Sequence, residues 1–339
     1  MMNMLKKLPG LILIVITAVT AYYLSNYYPL IDSLVAGIIL GMVIRLIIGS
    51  SPFFLSGTEF FPSLLIPIGL VLYGVNLKFQ KVLEVASLTW IVWLQLFVGI
   101  SVVFWLAGIL GRRLKISQGT SILTAVGTAI CGASAIIMVA PIIRAKKDDI
   151  GRALLTITLF GLIGVFLYPF IQKFFGMPKD IYALFTSTTL SQTGFVKMAA
   201  SYLGTACKDL ALSLKLIRTI LIVPVLIILS IIFSKKEDEP IAQDEQDEIK
   251  KPFLIYWALA GFITVGLLFS FVPVLAPYAK TIQPYSVFIW TMALVSIGLM
   301  IDVRILFKEF PRAAFLGLIL WLVAIAVFMF GYWAVTIIG

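Results

Sequence analysis

Long apolar runs separated by short polar joints occupy almost the whole 339-residue chain. A helix that crosses the hydrocarbon core of a bilayer needs about 20 mostly apolar residues. At that length the pattern predicts eleven spans, at about 8–24, 30–48, 60–77, 86–110, 118–143, 151–175, 181–203, 210–233, 253–271, 285–301 and 313–337. The runs are continuous rather than alternating, so they predict helices and not barrel strands. The fold class is therefore an all-α polytopic membrane protein with about 10–11 transmembrane helices, a single integral membrane domain over residues 1–339. The first span, behind Lys6 and Lys7, taken alone has the form of a signal peptide. Ten further segments follow it, which predicts a retained first helix.

Two segments break the apolar pattern. In the fifth, VGTAICGASA at 126–135 places Gly127, Thr128, Cys131, Gly132, Ala133 and Ser134 where hydrocarbon is expected. A continuous helix there would carry two interior glycines, each costing about 1 kcal/mol relative to alanine. One reading is close helix packing, because small residues let backbones approach. The other is a discontinuous helix, with unwound backbone tolerated because it lines a cavity. The second half-helix would then begin near Gly132–Ser134, with unpaired N–H groups and a positive dipole end suited to an anion. The first half would end near Thr128, with free carbonyls and hydroxyls able to hold a sodium ion. The weak seventh segment repeats this character: Thr188, Ser191, Gln192 and Thr193 belong to a polar cluster flanked by apolar residues, which suits a surface loop or a broken, re-entrant helix.

Charge sharpens the picture. Lys215 and Arg218 lie three positions apart inside the eighth span, so both project from one face. A charge at the bilayer centre costs at least about 2.5 kcal/mol, and Arg218 lies too far inside for simple snorkelling; Pro224, further on, predicts a kink. No Asp or Glu falls at the centre of a span, which disfavours a proton antiporter built on central carboxylates. The embedded charge is positive and suits an anionic substrate.

The net charge of +10 is otherwise scattered over short joints, as the positive-inside rule produces, and does not imply nucleic acid. A hydrophilic loop at 234–252 holds seven of the sixteen acidic residues and divides the chain. Alternating the joints from a cytoplasmic N-terminus puts most Lys and Arg on one side, with RAKKDDIGR after the fifth span as the exception. LVLYGVNL (70–77) and LVSIGLMI (294–301) share Leu, Val and Gly at equal spacing. Seven spans apart, they would lie in opposite orientations, as in an inverted repeat, although three identities in eight apolar positions also fit coincidence.

The chain has no histidine and two cysteines, Cys131 and Cys207, so neither a disulfide framework nor a metal centre is expected. Cys131 has no neighbouring base in sequence, which argues against an enzyme. No cofactor is expected; a coupling ion, sodium or proton, stays open, as do a sodium-coupled symporter for an organic anion and a passive anion channel.

The run SILTAVGTAICGASAIIMVAPIIRAKKDDIGRALLTITLFGLIGVFLYP (121–169), with the Lys215, Arg218 and Pro224 pattern of the eighth span, resembles the YeiH-like sulfate exporter family. The resemblance extends over essentially the whole chain. It implies the bile-acid, arsenite and riboflavin transporter superfamily: inverted repeats, interrupted crossing helices, and panel and core domains that move in alternating access. It further implies a small anionic substrate, sulfate or organosulfonate-like, exported across the bacterial plasma membrane by a multi-pass protein. Where many relatives carry a His-acid pair, the matching positions here are Gln192 and Thr193.

Overall fold

The structure is a computed structural model that describes residues 8–28, 31–49, 58, 61–77, 90–234, 252–301 and 303–338. The hydrophilic loop at 234–252 lies, apart from its two ends, outside the described residues, as do Lys6, Lys7, Glu59, Glu84 and Asp302. Every regular element among the described residues is helical. In chain order they are α1 (Leu8–Tyr27), α2 (Ser33–Ile48), α3 (Phe61–Tyr73, continued by a 3₁₀ turn at Gly74–Asn76), α4 (Trp90–Arg113), α5 (Gln118–Ala129), α6 (Ala133–Val139) and α7 (Lys147–Phe175). There follow α8 (Lys179–Thr189), α9 (Thr193–Ser201), α10 (Thr205–Ile220), α11 (Ile222–Ser234), α12 (Pro252–Phe271), α13 (Ala276–Met300) and α14 (Val303–Ile338).

Among the described residues six helices are long and apolar enough to cross a membrane, and shorter apolar helices accompany them. The protein is a polytopic α-helical membrane protein. Large apolar side chains such as Phe97, Trp105, Phe170 and Phe330 stand exposed, as expected where the solvent is lipid.

Three span boundaries move relative to the sequence pattern. The tenth begins at Ala276 and the eleventh at Val303, because Pro284 and Pro311 lie inside α13 and α14 rather than ahead of them. Membrane helices absorb an internal proline where neighbours satisfy the freed carbonyl. The eighth is divided: α10 stops at Ile220 and α11 starts at Ile222. Pro224 has no N–H and its ring excludes the carbonyl four residues earlier, that of Ile220, so the interruption falls where the ladder fails.

The chain forms two compact units. One comprises Met1–Lys78, Ile137–Gly151 and Val225–Lys308. Its helices meet through glycine. On α2, Gly37 and Gly41 share a face, and a Cβ at Gly41 would stand 2.5 Å from the Val295 carbonyl oxygen of α13. Trp290 is fully buried, donates its ring N–H to the Ile66 carbonyl at 3.3 Å, and packs on Tyr73 with ring centroids 4.4 Å apart. Gly69 leaves the space that its indole fills.

The two matching octapeptides lie in this unit and end alike. The Leu77 N–H donates to the Gly74 carbonyl at 2.9 Å and the Ile301 N–H to the Gly298 carbonyl at 3.3 Å, each then turning into extended backbone.

The second unit comprises Phe79–Ile136, Arg152–Pro224 and Glu309–Gly339. Its core is aromatic, built on Tyr168, Tyr182, Phe185, Phe195, Trp321 and Phe328. Polar ends of these rings are paired: the Trp321 ring N–H donates to the Tyr168 hydroxyl at 3.0 Å, and the Tyr182 hydroxyl donates to the Ala199 carbonyl at 3.1 Å, tying α8 to α9. Arg152, buried, pairs with Glu309 at 2.9 Å and so joins α7 to α14.

Candidate functional site: two interrupted helices and a basic pair

Both segments that break the apolar pattern are interrupted helices, and both interruptions lie in the second unit. The first opens after Ala129. Val126 accepts from the Ile130 N–H at 3.0 Å, and Gly127 accepts from the Gly132 N–H at 3.0 Å, a six-to-one closure that ends a helix at a left-handed residue. Gly132 has φ +74°, which glycine adopts at no steric cost. From there α6 starts at Ala133, and the Ser134 hydroxyl donates back to the Cys131 carbonyl at 3.2 Å and lies 3.0 Å from its sulfur. The sequence places these ends at Thr128 and at Gly132–Ser134, and the structure puts them there within a residue or two.

The second interruption opens after Thr189. Leu190 and Gln192 are extended, and α9 starts at Thr193. The hydroxyls of Thr186, Ser187 and Thr188 bond back to carbonyls of their own helix, at 3.0, 2.9 and 2.7 Å, so the density of hydroxyls in this segment chiefly serves the α8 backbone. Thr193 and Lys197 lie exposed, whereas Ser191 and Gln192 are buried.

The two interruptions touch. A Cβ at Gly132 would stand 2.7 Å from Gln192 Cγ and 3.2 Å from the Ser191 carbonyl oxygen, so only glycine lets one break cross the other. Thr128, Cys131, Gly132, Ala133, Ser134, Ser191 and Gln192 therefore form one buried neighbourhood.

Lys215 and Arg218 of α10 enter this neighbourhood from one face and are 1% and 2% exposed. Lys215 Nζ donates to the Ile130 carbonyl at 3.1 Å and the Leu190 carbonyl at 2.7 Å. Arg218 Nε donates to Ala129 at 2.7 Å, and Nη1 to Ser187 at 3.1 Å and Leu190 at 2.9 Å. Arg218 Nη2 donates to the Thr128 carbonyl. All these acceptors are carbonyls at the C-terminal ends of α5 and α8, the negative ends of two helix dipoles. The cations thus neutralise both carbonyl ends, while the N-terminal ends of α6 and α9 carry no acidic residue in their first turns.

Several contributors escaped the sequence reading. Gln192 Nε2 bonds Thr158 Oγ1 at 2.9 Å, and its Oε1 is buried without a partner. The buried Thr156 hydroxyl is likewise unpartnered and lines a narrow cavity with Thr128, Ser191, Gly317 and Trp321. A second cavity, of about 30 Å³, is lined by Gln95, Gly99, Ala129, Thr188, Arg218 and Phe328. That is room for about one or two waters, between Arg218 and Gln95 of α4, whose amide donates to the Phe328 carbonyl at 3.1 Å. Gln95, Thr156 and Thr158 are polar positions inside otherwise apolar spans, a signal that the sequence carries. Among the described residues no cluster of metal-ligating side chains occurs.

Comparison with known proteins agrees with this architecture. A UPF0324 membrane protein of Streptococcus pyogenes serotype M18 is 31% identical over 325 residues, covering 94% of each chain. One of Fusobacterium nucleatum is 30% identical, covering 93% of this chain and 94% of its own. One of Archaeoglobus fulgidus is 29% identical, covering 95% and 91%. No solved structure matches the chain. Residues 9–317 match the family described as Conserved hypothetical protein 698, and with relatives that are membrane proteins over nearly their full length, the chain belongs to this family of UPF0324 membrane proteins.

Proposed function

We propose that the protein is a secondary active transporter that moves a small anion, sulfate or organosulfonate-like, out of the cell by alternating access. The observation that carries this reading is the polarity of the paired helix breaks. Lys215 and Arg218 saturate the carbonyl ends with two positive charges and bond only backbone carbonyls. The starts of α6 and α9, positive dipole ends with no acidic residue in their first turns, add positive potential. A net positive, buried and hydroxyl-lined neighbourhood suits an anion that sheds its water.

The resemblance to the YeiH-like sulfate exporter family supports the same reading and supplies the substrate class. The common ends of the two octapeptides favour an inverted repeat. In this reading the protein lies in the bacterial plasma membrane with its N-terminus cytoplasmic, the orientation that puts most of the Lys and Arg on one side. On the same reading the protein carries its substrate unchanged, and Cys131, against the Ser134 hydroxyl, is a packing residue of the break.

Counterflow tests the proposal. Proteoliposomes loaded with unlabelled sulfate or a small sulfonate should take up the labelled anion in a saturable, trans-stimulated manner. Conductance without saturation would make the protein a channel, and failure of every anion tried would remove the anion reading.

A further inference from the structure

At the crossing of the two breaks, five backbone carbonyls, those of Thr128, Ala129, Ile130, Ser187 and Leu190, converge on two cationic side chains. Carbonyls at the ends of interrupted membrane helices are the donor set that a dehydrated sodium ion takes, because they replace its water and lie at negative dipole ends. Here that set is already occupied. Leu190 accepts from both cations, Lys215 at 2.7 Å and Arg218 at 2.9 Å, so the two helix ends share one positive centre. A free sodium ion would meet acceptors already engaged and two like charges within contact distance, which repel it strongly where water is excluded.

We infer that Lys215 and Arg218 are tethered substitutes for a coupling cation: the protein needs no sodium at its helix breaks, and removing the Lys215 ammonium creates a site that a small free cation can fill. For its functional half the inference rests on the carrier reading; its structural half does not. Lys215→Ala leaves the Ile130 carbonyl and one acceptor site on Leu190 buried without a donor, beside a vacated space of ammonium size.

The test is thermal unfolding of the purified full-length protein in detergent, in sodium chloride against choline chloride at equal concentration. The wild-type midpoint should be the same in both salts. Lys215→Ala should unfold about 5 °C or more lower in choline, and sodium or ethylammonium chloride should restore part of the loss in a saturable way. A saturable rise of the wild-type midpoint with sodium overturns the inference, as does a Lys215→Ala protein that is as stable as wild type in choline. Should that variant not fold, the wild-type comparison still decides. In proteoliposomes, wild-type counterflow of labelled sulfate should be unchanged when choline replaces sodium, and a sodium requirement would overturn the functional half. Absence of counterflow in either salt would instead count against the carrier reading and leave the unfolding result standing.

Discussion

Gly132 and Gln192 meet where the two interrupted helices cross: a Cβ on the first would lie 2.7 Å from Cγ of the second. Gly132 also holds φ +74°. Gly132→Ala combines left-handed strain of about 1–2 kcal/mol with overpacking of about 1–3 kcal/mol. The variant should lose about 2–5 kcal/mol of stability, visible as a lower unfolding midpoint, and should transport poorly. Gly108→Ala is the matched control, because nothing lies within 4 Å of an added Cβ there. It should be neutral or gain about 0.5–1 kcal/mol from relief of the glycine penalty.

Arg218 should not be replaceable by lysine. Its planar fork reaches carbonyls of Thr128, Ala129, Ser187 and Leu190 in fixed directions, and a single ammonium cannot span them. Each buried acceptor left without a donor costs about 1–3 kcal/mol. Arg218→Lys and Arg218→Ala should therefore fall together in thermal stability and in counterflow, both well below wild type. Near-normal behaviour of the lysine variant would show that charge alone suffices at this position.

The sign of the site can be read with one near-isosteric change. Gln192→Glu keeps the shape that packs on Gly132 while adding a negative charge beside the starts of α6 and α9. Two like charges a few ångströms apart at an effective dielectric near 20 repel by more than about 1.4 kcal/mol, so labelled sulfate counterflow should fall roughly tenfold or more. Unchanged sulfate flux in a folded Gln192→Glu protein would place the substrate elsewhere.

Gly74 and Gly298 should respond alike to alanine. An added Cβ at Gly74 would stand 2.5 Å from the Phe262 carbonyl oxygen, and one at Gly298 would collide with the Ile38 carbonyl oxygen. Backbone cannot step aside as a side chain can, so each variant should lose about 1–3 kcal/mol in thermal unfolding. Gly99→Ala, whose Cβ would meet only Val327 at 3.9 Å, should lose little.

Both breaks were legible because glycine, threonine and serine in an apolar run have few other uses. Their meeting was not, because a sequence does not say that the space missing at Gly132 is taken by Gln192. Lys215 and Arg218 were legible as buried charges, but their partners are main-chain carbonyls, which carry no residue identity to read. The hydroxyl cluster at 186–189 has a use that composition does not show: Thr188 bonds its own helix at 2.7 Å while also lining the cavity beside Arg218. The spans expected at 285–301 and 313–337 begin too late because in lipid α13 and α14 run through Pro284 and Pro311.

The grip of α10 on the two breaks also has a mechanical side. Six hydrogen bonds from charged donors fasten the ends of α5 and α8 to three residues' length of α10, and at about 1.5–3 kcal/mol each they hold on the order of 10 kcal/mol. Pulling one break away from the other would strain all of them together, so the two breaks and α10 share one fastening. The grip ends where the α10 ladder does, at Ile220, because Leu221 lies outside the helix ahead of Pro224.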